Sequence, residues 1–124
     1  MSTYEATGQD RQAVRDLARQ LQAAHDQHAQ HVQTNADAER DYRKARSEQW
    51  VRADAATAAA REAQVDGATA DLRHKRDIAA GMEKHALELI RSRRQVLSAY
   101  QSLLNAERER AGHAFKGPEV DDGP

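Results

Sequence analysis

The chain contains no cysteine, which excludes a disulfide framework, a thiol nucleophile and a cysteine-based zinc site. Proline is absent from Gln9 to Ala111, and glycine occurs there only at Gly67 and Gly81, so little in this stretch can break a helix. Aromatic residues make up 4% of the 124 residues, poor material for the core of a compact globule. No apolar run approaches the ~18 residues of a membrane span. The opening Met-Ser-Thr-Tyr-Glu lacks a basic region followed by an apolar one, so no secretory leader is expected and the default location is the cytoplasm. Charge of a single sign is also missing. The formal net charge is −1 although 31% of residues are charged, and the signs are interspersed rather than blocked as in a disordered tract.

What remains is Ala, Arg, Gln, Glu, Asp and Leu, with apolar side chains returning every three or four positions. This composition and period predict an all-α fold, a long antiparallel helical hairpin of coiled-coil type. Residues 1–8 have no period and are expected to be flexible; 9–112 form the single helical domain; 113–124 form a flexible acidic tail. Thr7 or Gly8 suits an N-cap, with Asp10 in the first turn, where negative charge is favoured. The first seam runs Val14, Leu17, Leu21, Ala24, His28, His31, Asn35, Ala38, Tyr42, Ala45. At Gln49–Ala53 it slips by one residue, which reads as a stutter in a continuing helix.

Gly67, flanked by Asp66 and Thr69, is the best candidate for the turn, placed near 65–69. The second seam reads Leu72, Lys75, Ala79, Met82, Ala86, Leu89, Arg93, Val96, Tyr100, Leu103, with Ile90, Leu97 and Leu104 in a column beside it. A reversal at Gly67 pairs residues whose numbers add to about 133. Tyr42 and Ala45 then approach Leu89 and Ile90, and Val14, Leu17 and Leu21 find nothing opposite them. Those three, with Leu97 and Leu104, are the candidate self-association residues, and a dimer is the favoured assembly. The alternative is a three-helix bundle with a break near 33–36, for which Thr34 with Asp37 offers a capping signal.

Candidate chemistry is sparse. His25, His28 and His31 recur at intervals of three, but zinc needs ligands converging from a second helix and no H-E-x-x-H spacing is present. Their simpler role is a polar layer that sets register, or a pH-sensitive association. A di-iron bundle needs paired Glu-x-x-His motifs, and only Asp71–His74 has comparable spacing. Without a Gly-rich phosphate loop, a nucleophile elbow or α/β alternation, neither catalysis nor a cofactor is expected. Basic residues cluster at Arg40, Arg43, Lys44 and Arg46, at Arg73, Lys75 and Arg76, and at Arg91, Arg93 and Arg94. The Gly67 pairing sets the first and third clusters at one height, making Arg40, Arg43, Lys44, Arg91, Arg93 and Arg94 the candidate nucleic-acid contacts. The competing reading is a solvated face of i, i+4 ion pairs, such as Glu39 with Arg43.

Trp50 is followed by Val51-Arg52, which departs from the W-x-G hairpins of actinobacteria. The segment from Tyr42 to Arg110 instead resembles small helical proteins of phages and prophages of high-GC bacteria. The resemblance is carried by Tyr-Arg-Lys-Ala-Arg-Ser-Glu, Ala-Asp-Leu-Arg-His-Lys-Arg-Asp-Ile-Ala and above all the Leu-Ser-Ala-Tyr-Gln-Ser-Leu run at 97–103. It implies an accessory role beside replication or recombination. The expected function is a non-catalytic protein that self-associates and binds a partner protein through helix faces. The alternative is a DNA-binding accessory factor in phage recombination or replication, acting through the basic clusters.

Overall fold

The structure, a computed structural model, describes residues 7–116, with side chains described for 8–113. Three helices account for nearly all of it: α1 (Thr7–Arg52), α2 (Ala58–Ala68) and α3 (Ala70–Lys116). No strand occurs among the described residues. The fold is all-α, as the periodicity implies, and α1 runs antiparallel to its partner segments within each of the units described below. Residues 1–6 and 117–124, which hold most of the expected flexible start and much of the acidic tail, lie outside the described residues. Within them α3 continues through Gly112 to Lys116, four residues beyond the expected domain boundary.

The reversal is not at Gly67. α1 ends at Arg52, its last turn extended by a bond from the Ala53 amide to the Gln49 carbonyl at 2.9 Å. Thr57 then adopts extended backbone (φ −130, ψ 160), and its hydroxyl accepts from the Ala60 amide at 3.1 Å, an N-cap that starts α2. The one-residue slip at Gln49–Ala53 therefore marks a helix end. Gly67 sits inside α2 in ordinary helical conformation with open space around it, so its conformational freedom goes unused. Only Thr69 separates α2 from α3. Its amide bonds the Val65 carbonyl at 3.0 Å and its hydroxyl bonds the same oxygen at 2.7 Å, the back-bonding that bends a helix. Both Val65 and Thr69 are fully buried, so the bend is packed against neighbours.

Two compact units are distinguished, Ala24–Leu89, and Met1–Ala23 with Ile90–Pro124. In the first, α1 meets α2 and the opening of α3 antiparallel: Arg46 pairs with Asp66, Glu39 with Arg76, and Asn35 with Glu83. The paired numbers add to between 112 and 118, which replaces the expected 133 and brings Tyr42 to Arg76 rather than to Leu89. Ala38, Tyr42, Ala53, Val65, Ala79 and Ala86 are buried here. Alanine at so many contacts lets the helix axes approach closely, with Tyr42 supplying the bulk.

In the second unit Gln20 receives a bond from Arg93 and Asp10 one from Tyr100, so the chain segments again run antiparallel. Val14, Leu17 and Leu21 of α1 and Leu97, Tyr100 and Leu104 of α3 are all half-buried in this unit. The bare overhang expected from a turn at Gly67 is thus absent. α1 is unbroken across 33–36, where Gln33 bonds Asp37 within the helix at 3.0 Å, so the three-helix alternative with a break there is also overturned.

Candidate interaction surface

Along α3 the residues facing inward are Val65 and Thr69 at its approach, then Leu72, Arg76, Ala79, Glu83 and Ala86 in the first unit. Ile90, Arg93, Leu97, Tyr100 and Leu104 follow in the second. The steps alternate four and three, a coiled-coil seam that admits Arg76, Glu83 and Arg93. Each charged member has a partner. Arg76 lies over the Tyr42 ring at 4.4 Å from its centroid and pairs with Glu39 at 3.7 Å and Asp77 at 3.0 Å. Glu83 accepts from the Asn35 amide at 2.5 Å, and the Arg93 guanidinium donates to the Gln20 carbonyl at 2.7 Å.

Arg46 binds Asp66 at 2.5 Å and Glu62 at 3.5 Å, bracing α1 against α2. The hydrogen bond to Asp66 raises the Arg46 pKa above its ordinary value, against an opposing effect of burial. Arg76 is raised in the same way, first by its bond to Asp77. Both groups are therefore fixed cations at any ordinary pH, and they hold structure rather than exchange protons.

This seam leaves a second apolar column of α3 outside. In the first unit it presents Ile78 and Met82, and in the second Val96 and Leu103, with exposures from 49% to 62%. Sequence reasoning placed Met82, Val96 and Leu103 on the face turned toward the first helix. The structure puts Glu83, Leu97 and Leu104 there instead. The signal available in the sequence was the presence of two adjacent seven-residue columns, only one of which a single partner helix can cover.

The residues expected to mediate self-association serve the fold. Val14, Leu17, Leu21, Leu97 and Leu104 are half-buried in the intramolecular seam of the second unit. The basic clusters are not joined as expected: Glu39 and Arg46 face α2 and the start of α3, whereas Arg93 faces Gln20. Arg40 pairs with Asp41 at 3.5 Å and Asp37 at 3.8 Å, and Arg43 with Glu39 at 2.8 Å, the i, i+4 pair read from the sequence. Lys44 lines a shallow open groove on α1 with Ala36, Glu39, Arg40, Arg43 and Ser47. Arg91 and Arg94 are exposed.

His28 and His31 are half-buried in the seam and His25 is exposed. Among the described residues no group of three or more His, Cys, Asp or Glu side chains is arranged to hold a metal ion. Trp50 lies beside the reversal, its carbonyl accepting from Arg61 at 2.9 Å and its ring 5.7 Å from that guanidinium. Among the described residues no helix is long and apolar enough to cross a membrane. No protein-family model, curated protein or solved structure matches the chain.

Proposed function

We propose that this chain is a non-catalytic helical interaction protein that self-associates and binds a partner protein through exposed helix faces. The observation that carries this reading is the outer side of α3, where Ile78 and Met82 in the first unit and Val96 and Leu103 in the second leave about half or more of their surface exposed. Scattered single apolar residues on a surface need no explanation, but a column in register on one helix does. The resemblance of Tyr42–Arg110 to helical phage and prophage proteins supports an origin of that kind, with action in the host cytoplasm.

A DNA-binding accessory role is the second reading. It is favoured by Arg91 and Arg94, exposed and without an ion pair among the described residues. Arg40, Arg43 and Arg93, already engaged, support it less. Salt separates the two readings. Size exclusion coupled to light scattering, run on the full chain at rising salt, should show an oligomer that persists, because apolar association does not depend on charge. Retention of duplex DNA that falls steeply with salt, and is lost when Arg91 and Arg94 are changed to Glu, would favour the second reading. A monomer at all concentrations would sink self-association.

A further inference from the structure

In the second unit the charged side chains divide by face. Asp10 is turned to Tyr100, and Asp16 accepts from Gln12 and pairs with Arg19, so the start of α1 spends both carboxylates locally. α3 has no acidic residue between Glu88 and Glu107. Arg11, Arg15, Arg91 and Arg94 are left, all exposed and none with an ion pair among the described residues. The first unit uses its arginines otherwise: Arg40, Arg43, Arg46 and Arg76 each reach a carboxylate.

Helix geometry sets the four unpaired arginines on one side of this unit. Each directly follows an inward residue: Arg11 follows Asp10, Arg15 follows Val14, Arg91 follows Ile90 and Arg94 follows Arg93. One position is a turn of about 100°. Both helices wind the same way and one is turned end for end, so residues that follow inward positions flank the seam on the same side. The same rule puts Ala18, Gln22, Ser98 and Gln101 there, after Leu17, Leu21, Leu97 and Tyr100, and all four are exposed. The register set by Asp10–Tyr100 and Gln20–Arg93 orders the arginines as Arg11, Arg15, Arg94, Arg91. They are spread over about ten residues of rise, or roughly 15 Å.

We propose that this side of the second unit binds the phosphate backbone of duplex DNA, with one strand lying along the four arginines. At 3.4 Å of axis per phosphate, roughly 15 Å of duplex carries about four phosphates on one strand, matching the guanidiniums in number and reach. The planar guanidinium fork meets two phosphate oxygens at once. A side with no aromatic residue offers unpaired bases nothing to stack on, which selects duplex over single strand. With alanine as its largest apolar residue it has nothing to insert between lipids, which argues against an anionic membrane as the partner. This inference rests on the DNA-binding reading above. It extends that reading to Arg11 and Arg15 of α1 and withdraws it from Arg40, Arg43 and Lys44.

The test is fluorescence anisotropy of a labelled duplex of about 20 base pairs, titrated with the full chain between about 50 and 200 mM salt. Four phosphate contacts predict a slope of log affinity on log salt near −3.6, a loss of about a hundredfold over that range. Arg11→Gln combined with Arg15→Gln should make the slope shallower by about 1.8 and weaken binding by about tenfold or more at 100 mM salt, with helical circular dichroism unchanged. Arg40→Gln combined with Arg43→Gln should leave slope and affinity as they are. Binding that is lost in Arg91→Gln with Arg94→Gln yet unmoved in the α1 variant would overturn the four-arginine side and leave the DNA-binding reading standing. Tighter capture on phosphatidylserine vesicles than on the duplex would overturn the choice of partner. No binding of the duplex by the native chain even at about 50 mM salt would overturn both.

Discussion

Arg76 covers the ring of Tyr42 at 4.4 Å while its guanidinium reaches back to Glu39, one turn earlier on α1. Cation, aromatic face and carboxylate thus clamp α1 to α3 where the rest of the contact is mostly alanine. Tyr42 is the largest buried side chain of the first unit. Replacing it with Ala should lower stability by about 3 kcal/mol, because the cavity left among alanines cannot collapse far. Urea unfolding followed by circular dichroism measures this, and a change under about 1 kcal/mol would show that the clamp is not a main support.

Gly67 offers a sharp test of where the chain reverses. It lies within α2 with nothing within 4 Å of an added Cβ, and Gly81 lies in α3 with the same freedom. Alanine at either position should stabilise by about 0.5–1 kcal/mol, since it reduces the freedom of the unfolded chain and favours helix. A turn at Gly67 with left-handed backbone predicts the opposite sign for that variant. Thermal melts of the two single variants, read side by side, decide the matter.

Much of this arrangement is legible in the residues, and the failures have physical causes. The first seam, Val14 through Ala45, reads correctly because α1 has one apolar stripe and one partner surface. The second was half misread because hydropathy prefers Met82 to Glu83 and Val96 to Leu97's column. Yet the inner positions tolerate Arg76, Glu83 and Arg93 through long-range partners, Tyr42, Asn35 and the Gln20 carbonyl, which no local pattern reveals. Glycine marks turns, which makes Gly67 the expected reversal, but the chain reverses at 53–57, where there is neither glycine nor proline. An error of that size moves every cross-pair, and so it also misassigned Val14, Leu17 and Leu21 as bare and the arginine clusters as neighbours. The slip at Gln49–Ala53 followed by Thr57 was the usable clue.

Thr57 is accordingly a second point of attack on the reversal. Its hydroxyl satisfies the Ala60 amide, and its own carbonyl accepts from Arg61 at 3.0 Å. Thr57→Ala should cost about 1 kcal/mol, and Thr57→Asp, which caps equally well and complements the helix dipole, should restore it. Hydrogen exchange across 58–62 should accelerate in the Ala variant and recover in the Asp variant. Exchange unchanged in both would mean that α2 does not depend on this cap.

Tyr100 links the second unit to pH. Its hydroxyl donates to Asp10 at 3.1 Å, and its pKa is raised above the usual tyrosine value near 10, first by burial and then by that bond and the negative charges of Asp10 and Glu107. The folded value lies above the unfolded one, so the associated stability is fully present below about pH 10 and is lost as pH rises through the elevated folded value. Above it, a phenolate would sit beside Asp10 without a proton to share. Tyr100→Phe removes the titrating group but keeps the ring in the seam. The native chain's melting temperature should therefore fall more steeply than the variant's between about pH 9 and 12, other groups titrating alike in both. Parallel profiles for the two chains would show that the Asp10–Tyr100 bond contributes nothing to holding the first turn of α1 against α3.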